Sequence, residues 1–275
     1  MANNRRYRIN RRAALKMLPF LSKRQKLITG VLLLSLGLFI SQNLLGKSGV
    51  YTVFSLAIIT DIFLFLILYK DLKDNFSPQI FILPLIFSLS FGLFFFLVPA
   101  RFLTRIITTS LYAIGLYSLF LSENIFIVSS IRTIALLSSA RTVSFVITLL
   151  SYFFLSNVVF SLHLNIYFLL IFLSLYSFSL IIYSLWTYTL EKKIFSNLYW
   201  VIGLTLCLVE TGVILWFWPS TPTVLALFLT GIFYTVVGLS QVWIEKRLFK
   251  GIMWEYFWVA GIVFISLLLF TSWTG

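Results

Sequence analysis

Charge is what this sequence has least of. Asp, Glu, Lys and Arg make up 11% of its 275 residues, against 60% hydrophobic and 19% aromatic, and the mean hydropathy is +1.03. A soluble domain carries about a quarter charged residues. A water-soluble fold is therefore excluded, and so is disorder, which needs the opposite balance. The chain belongs in a bilayer. Cysteine is limited to Cys207 and histidine to His163. One thiol makes no intramolecular disulfide, and this ligand poverty leaves zinc, haem and iron–sulfur chemistry without a donor set, so no metal or cofactor is expected. The sequence has no HExxH, no histidine within a span to serve a buried serine, no acid-bearing external loop and no Gly-rich phosphate cradle. No catalytic residue, and no enzyme, is expected.

What is present is long apolar runs. About 20 such residues cross the hydrocarbon core as a helix, and nine segments qualify: 27–45, 50–69, 79–98, 103–121, 143–161, 165–188, 198–218, 223–243 and 256–273. Pro84 and Pro99 are expected to kink and end the third, and Pro219 and Pro222 to bracket the turn between the seventh and eighth. The expected fold is all-α, a polytopic bundle of nine transmembrane helices. Its parts are a basic tail (1–26), spans 1–4 (27–121), an amphipathic surface helix (122–142) and spans 5–9 (143–275).

The basic residues orient that bundle. With the N-terminus inside, all but three of the 21 Lys and Arg (Lys47, Arg101 and Arg105) fall on the cytoplasmic side. So do Asp71, Asp74, Glu123, Glu191, Glu245 and Glu255, and the C-terminus lies outside. Arg11-Arg12 faintly resembles a twin-arginine signal, but Met17–Leu21 is too short for its apolar region, so a cytoplasmic anchor is expected. Residues 124–142 are only moderately apolar, with Arg132 in the middle. A tenth span there would move seven basic residues outside, so they are read as the surface helix, with Arg132 and Arg141 reaching head groups. All eight Trp lie between 186 and 273, near span ends, and Trp200, Trp243, Trp254 and Trp258 are expected interface anchors.

Two carboxylates, Asp61 and Glu210, interrupt apolar spans at roughly 16–20 Å from the entry surface. An acid there must be protonated, paired or hydrated. Functionally they would bind a proton or cation; structurally they would be neutral carboxyls bonded to hydroxyls of neighbouring helices. Arg105 is expected to snorkel and His163 to sit solvated in a turn. Leu190–Phe195 (LEKKIF) matches Ile244–Phe249 (IEKRLF) 54 residues later, and Trp-Val-x-Gly follows each, at Trp200 and Trp258. Spans 6–7 and 8–9 are thus either a duplicated hairpin or two ordinary basic helix exits.

The most distinctive stretch is Glu245-Lys246-Arg247-Leu248-Phe249-Lys250-Gly251-Ile252-Met253-Trp254-Glu255-Tyr256. Over the last third of the chain it resembles an uncharacterised family of multi-span membrane proteins from uncultured small-genome bacteria, a resemblance that implies a membrane bundle and transfers no activity.

Two functions remain. The chain is a permease for a small solute or ion, using the acids Asp61 and Glu210. Alternatively it is a non-catalytic scaffold or assembly subunit whose basic face docks lipid or a membrane partner. Anionic head groups at Arg132, Arg141, Lys192, Lys193, Lys246, Arg247 and Lys250 are the expected contacts, with a homo-oligomer left open. Nucleic acid is not expected, because positive-inside retention explains the basic clusters and aromatic interleaving is missing. A bacterial plasma membrane is the expected location.

Overall fold

The computed structural model describes residues 22–44, 49–72, 77–98, 101–129, 135–190 and 197–271. Among these there is no strand, and nine helices are long and apolar enough to cross a membrane. They are α1 (Lys23–Leu44), α2 (Gly49–Leu72), α3 (Ile82–Leu97), α4 (Phe102–Ser129), α5 (Leu137–Ser161), α6 (Ile166–Thr189), α7 (Leu198–Trp216), α8 (Pro222–Ile244) and α9 (Lys250–Leu269). The chain is an integral membrane protein. Its basic tail before residue 22, Arg132, Lys192 and Lys193 lie outside the described residues.

Prolines act at helix ends. Pro78 opens a 3₁₀ turn, Pro78–Phe81, that leads into α3, so Pro84 falls in the first turn of that helix, where a missing N–H costs nothing, and not at a kink within it. Val98, before Pro99, is extended (φ −82°, ψ 138°) and stops α3 as the proline demands. Pro222 begins α8.

One expectation is corrected. The described parts of the segment 122–142 belong to the spans on either side of it, and residues 130–134 lie outside the described residues. Residues 122–129 continue α4, and 137–142 are the first turns of α5. The cause is the apolar stripe Leu116, Leu119, Phe120, Phe126 and Ile127, all buried, which runs through the supposed exit.

Helix α5 is central, packing on α3, α4, α6 and α8, while α1 and α2 flank α4 and α7 leans on α6 and α8. Cross-helix bonds show which ends meet. Lys23, opening α1, bonds Asn124 near the end of α4. Arg141, opening α5, reaches the ends of α6 and α8. We call this end the basic face. At the opposite end Trp216 Nε1 donates to the Leu164 carbonyl (3.2 Å) and Trp218 Nε1 to Thr271 Oγ1 (2.8 Å).

Helix α9 touches the rest mainly through α8, and of its residues only Leu267 is buried. The contact runs over two glycines. A Cβ on Gly231 would strike Val263, and one on Gly238 would strike the Tyr256 ring. Gly238→Val is therefore expected to lower unfolding stability by about 1–3 kcal/mol through overpacking. Detergent-phase denaturation of the variant beside wild type reads this directly; an unchanged midpoint would show that α9 is not seated there.

Candidate functional site

Glu123 is the residue that the loop reading misplaced. It sits in register with the buried stripe of α4 and is 0% exposed. A carboxyl in such a place needs a donor, and α6 supplies one: the Tyr183 hydroxyl donates to Glu123 Oε1 at 2.6 Å. The same hydroxyl lies 2.6 Å from Ser144 Oγ of α5, so Ser144 can donate to the tyrosine oxygen while the tyrosine donates onward. Three helices thus converge on Oε1. Oε2 is equally buried and accepts no hydrogen bond among the described residues.

Asp61, on α2, is the second carboxyl. It is half-buried, and its Oδ1 is a buried atom without a hydrogen-bond partner among the described residues. Its neighbour Thr60 turns the other way, into a fully buried chain in which Thr60 Oγ1, Ser88 Oγ and Tyr112 Oη are linked at 3.0 and 2.9 Å. That chain bonds α2 to α3 and α4 and stacks Tyr112 on Phe87 at 5.6 Å, so the backbone carrying Asp61 is held firmly beside α4. On the basic-face side Gln79, 1% exposed, likewise has both amide atoms without a partner among the described residues.

A line of hydroxyls leads away from this pair. Ser144, Thr148, Tyr152 and Ser156 recur every four residues along one face of α5, and all are buried. Across the seam, Tyr152 pairs with Ser177 (3.1 Å) and Ser156 with Tyr176 (2.9 Å). From Ser144 to Ser156 the stripe rises about 18 Å. It ends beside an apolar cavity of about 530 Å³ between α2, α3, α5 and α6, lined by Phe54, Leu89, Leu155, Phe172, Tyr176 and Ser179 among others. A smaller cavity of about 290 Å³ lies next to it and is lined by His163, Trp216 and Ser220. His163 Nδ1 lies 3.0 Å from the Ser161 carbonyl and the residue is exposed.

The other sequence candidates fall elsewhere. Glu210 is exposed on the outer side of α7, a helix that packs on α6 and α8, whereas α2 packs on α1, α3 and α4. The structure does not bring it to Asp61. Arg141 is turned inward. Its Nε donates to the Thr187 carbonyl (3.0 Å), one terminal nitrogen to the Tyr188 carbonyl (3.0 Å) and the other to Glu245 Oε1 (2.8 Å), and its guanidinium lies 4.7 Å from the Tyr188 ring centre. It caps α6 and ties it to α8. Lys246, Arg247 and Lys250 are exposed, as are Trp200, Trp243, Trp254 and Trp258, and Trp200 stacks on Trp243 at 5.1 Å. Among the described residues no group of three or more His, Cys, Asp or Glu could hold a metal ion.

Comparison with known proteins gives one result. No curated protein and no solved structure matches the chain. A family model described as a protein of unknown function (DUF5656) matches residues 48–270, far beyond the last third where the sequence resemblance was seen. It takes in every helix of the carboxyl site, and the chain belongs to that family.

Proposed function

We propose that this protein is a membrane permease that binds and passes protons at the paired carboxyls of Asp61 and Glu123, with its basic face in the cytoplasm of a bacterial cell. The observation that carries the reading is the pair itself. Two carboxyl groups on different helices each keep one buried oxygen that no hydrogen bond satisfies among the described residues. A purely structural acid would be saturated by neighbouring hydroxyls, because an unmet polar atom is costly in a low dielectric.

Tyr183 and Ser144 give the bound proton somewhere to go. A hydroxyl both donates and accepts, so a file of them passes a proton by rotation. The α5–α6 stripe sets further hydroxyls over about 18 Å toward the far side of the membrane, as separate bonded pairs with Thr148 bonded to the Ser144 carbonyl between them. Of the two acids named from the sequence, only Asp61 belongs to this site; Glu123 takes the place expected of Glu210.

The test is proton flux into proteoliposomes holding a pH-sensitive dye, driven by an imposed potassium diffusion potential. Asp61→Asn and Glu123→Gln each preserve shape and are expected to slow acidification at least about tenfold, a loss of the size that removing one proton-transfer group produces, while Glu210→Gln leaves it unchanged. Wild-type vesicles no faster than protein-free ones, or full flux in both variants, would overturn the proposal.

A further inference from the structure

Glu210 is an exposed carboxyl at membrane depth. It stands 12 residues from the first residue of α7 and six from the last, about 18 Å and 9 Å along the axis. A glutamate side chain is too short to bring its carboxyl to the surface from there, and an ionisable group facing lipid is expensive and rare. The site already described does not use it. Glu210 also belongs to a stripe. Gly203, Cys207, Glu210 and Ile214 recur at steps of four, three and four along one face, and all four are exposed. A Cβ at Gly203 would meet nothing within 4 Å, so none of the described residues fills the face at that point.

We propose that this stripe is an isologous interface between two copies of the chain, in which the two Glu210 carboxyls hydrogen-bond to each other. Copies inserted the same way in one membrane are related by an axis along the membrane normal. Their α7 helices then run parallel, and each residue of the stripe faces its own counterpart at the same depth. The carboxyl is suited to that arrangement because a carboxylic acid both donates and accepts, so it complements itself. A second copy is the partner that necessarily presents this group at this depth. Gly203 lets the two backbones approach closely, as small residues do where spans pair. The interface does not depend on the proton-binding reading.

Cys207 makes the proposal directly readable, being the single cysteine of the chain and one turn from Glu210 on the same face. Membranes holding the full chain are treated with copper–phenanthroline and run on a non-reducing gel. A band at twice the monomer mass is expected, absent in Cys207→Ser. Glu210→Leu is expected to lower its yield about three- to twentyfold, the range for one interhelical hydrogen bond in a bilayer. Glu210→Gln, whose amide also donates and accepts, keeps it. Ile62→Cys in the Cys207→Ser background provides an equally lipid-facing thiol on α2 and is expected to stay monomeric.

Four outcomes would overturn the interface: a monomer whose Cys207 still reacts with a lipid-permeant maleimide, a dimer indifferent to Glu210→Leu, equal crosslinking from Ile62→Cys, or a crosslinked band of another mass. The last would give the face to a different membrane protein.

Discussion

Arg141→Ala is expected to lower the stability of the detergent-solubilised protein by about 2–4 kcal/mol. The side chain makes three hydrogen bonds, two to carbonyls at the end of α6 and one to Glu245 at the end of α8. Truncation leaves all three acceptors unmet at once. The pair is only partly shielded, with side-chain exposures of 18% and 26%, so the effect falls between that of an exposed ion pair and that of a fully buried one. Arg141→Lys is expected to recover less than half, since an ammonium cannot reproduce the planar fork that meets Thr187, Tyr188 and Glu245 together. Glu245→Gln keeps an acceptor for the guanidinium and is expected to cost about 1 kcal/mol. A double-mutant cycle between positions 141 and 245 isolates the pair from the capping bonds. A loss for Arg141→Ala no larger than that for Glu245→Gln would mean that the α6 cap contributes nothing.

Tyr183→Phe removes one oxygen and disconnects two buried groups. Glu123 Oε1 loses its donor and Ser144 loses its partner, while the ring remains to fill the core. The expected destabilisation is about 1–3 kcal/mol, the cost of a buried acceptor left unmet. Its diagnostic value lies in the comparison with flux. If Tyr183 only braces the fold, Tyr183→Phe vesicles pass protons at the wild-type rate per folded molecule. If it lies on the path, flux drops at least about tenfold, and the companion variant Tyr152→Phe, further along the same seam, slows it as well.

Span positions were legible because hydropathy and loop charge are one-dimensional signals. Six of the nine expected segments begin and end within four residues of the helices found; α4 runs past its expected end, and α5 and α9 begin before their expected starts. The facing of residues within a span was not legible in the same way. In water an apolar stripe marks the buried side of a helix, but lipid and protein core are both apolar, so a span shows little contrast between its two faces. Glu210 looked buried because its neighbours are apolar, and it faces outward. Glu123 was placed between spans on the cytoplasmic side because the apolar run of the fourth span ends at 121, and it is fully buried. Its signal was nonetheless present: it continues the spacing of Leu116, Leu119 and Phe120 toward Phe126 and Ile127. Arg141 was misjudged for a related reason, since a basic residue at a span end suits a head group and a helix C-terminus equally well.

The Arg141 clasp also sets a lever. It binds α5 to the ends of α6 and α8 at the basic face, so a tilt of α6 against α5 about that point works against the Tyr152–Ser177 and Ser156–Tyr176 bonds higher in the seam. Tyr176 stands 12 residues up α6 from Tyr188, about 18 Å of arm. A tilt of about 5° moves it by about 1.6 Å at that radius, enough to part it from Ser156, and moves Tyr183, five residues from Tyr188, by less than half as much. The geometry of such a stroke holds the Glu123–Tyr183 bond nearly still while it widens or narrows the apolar cavity at the other end.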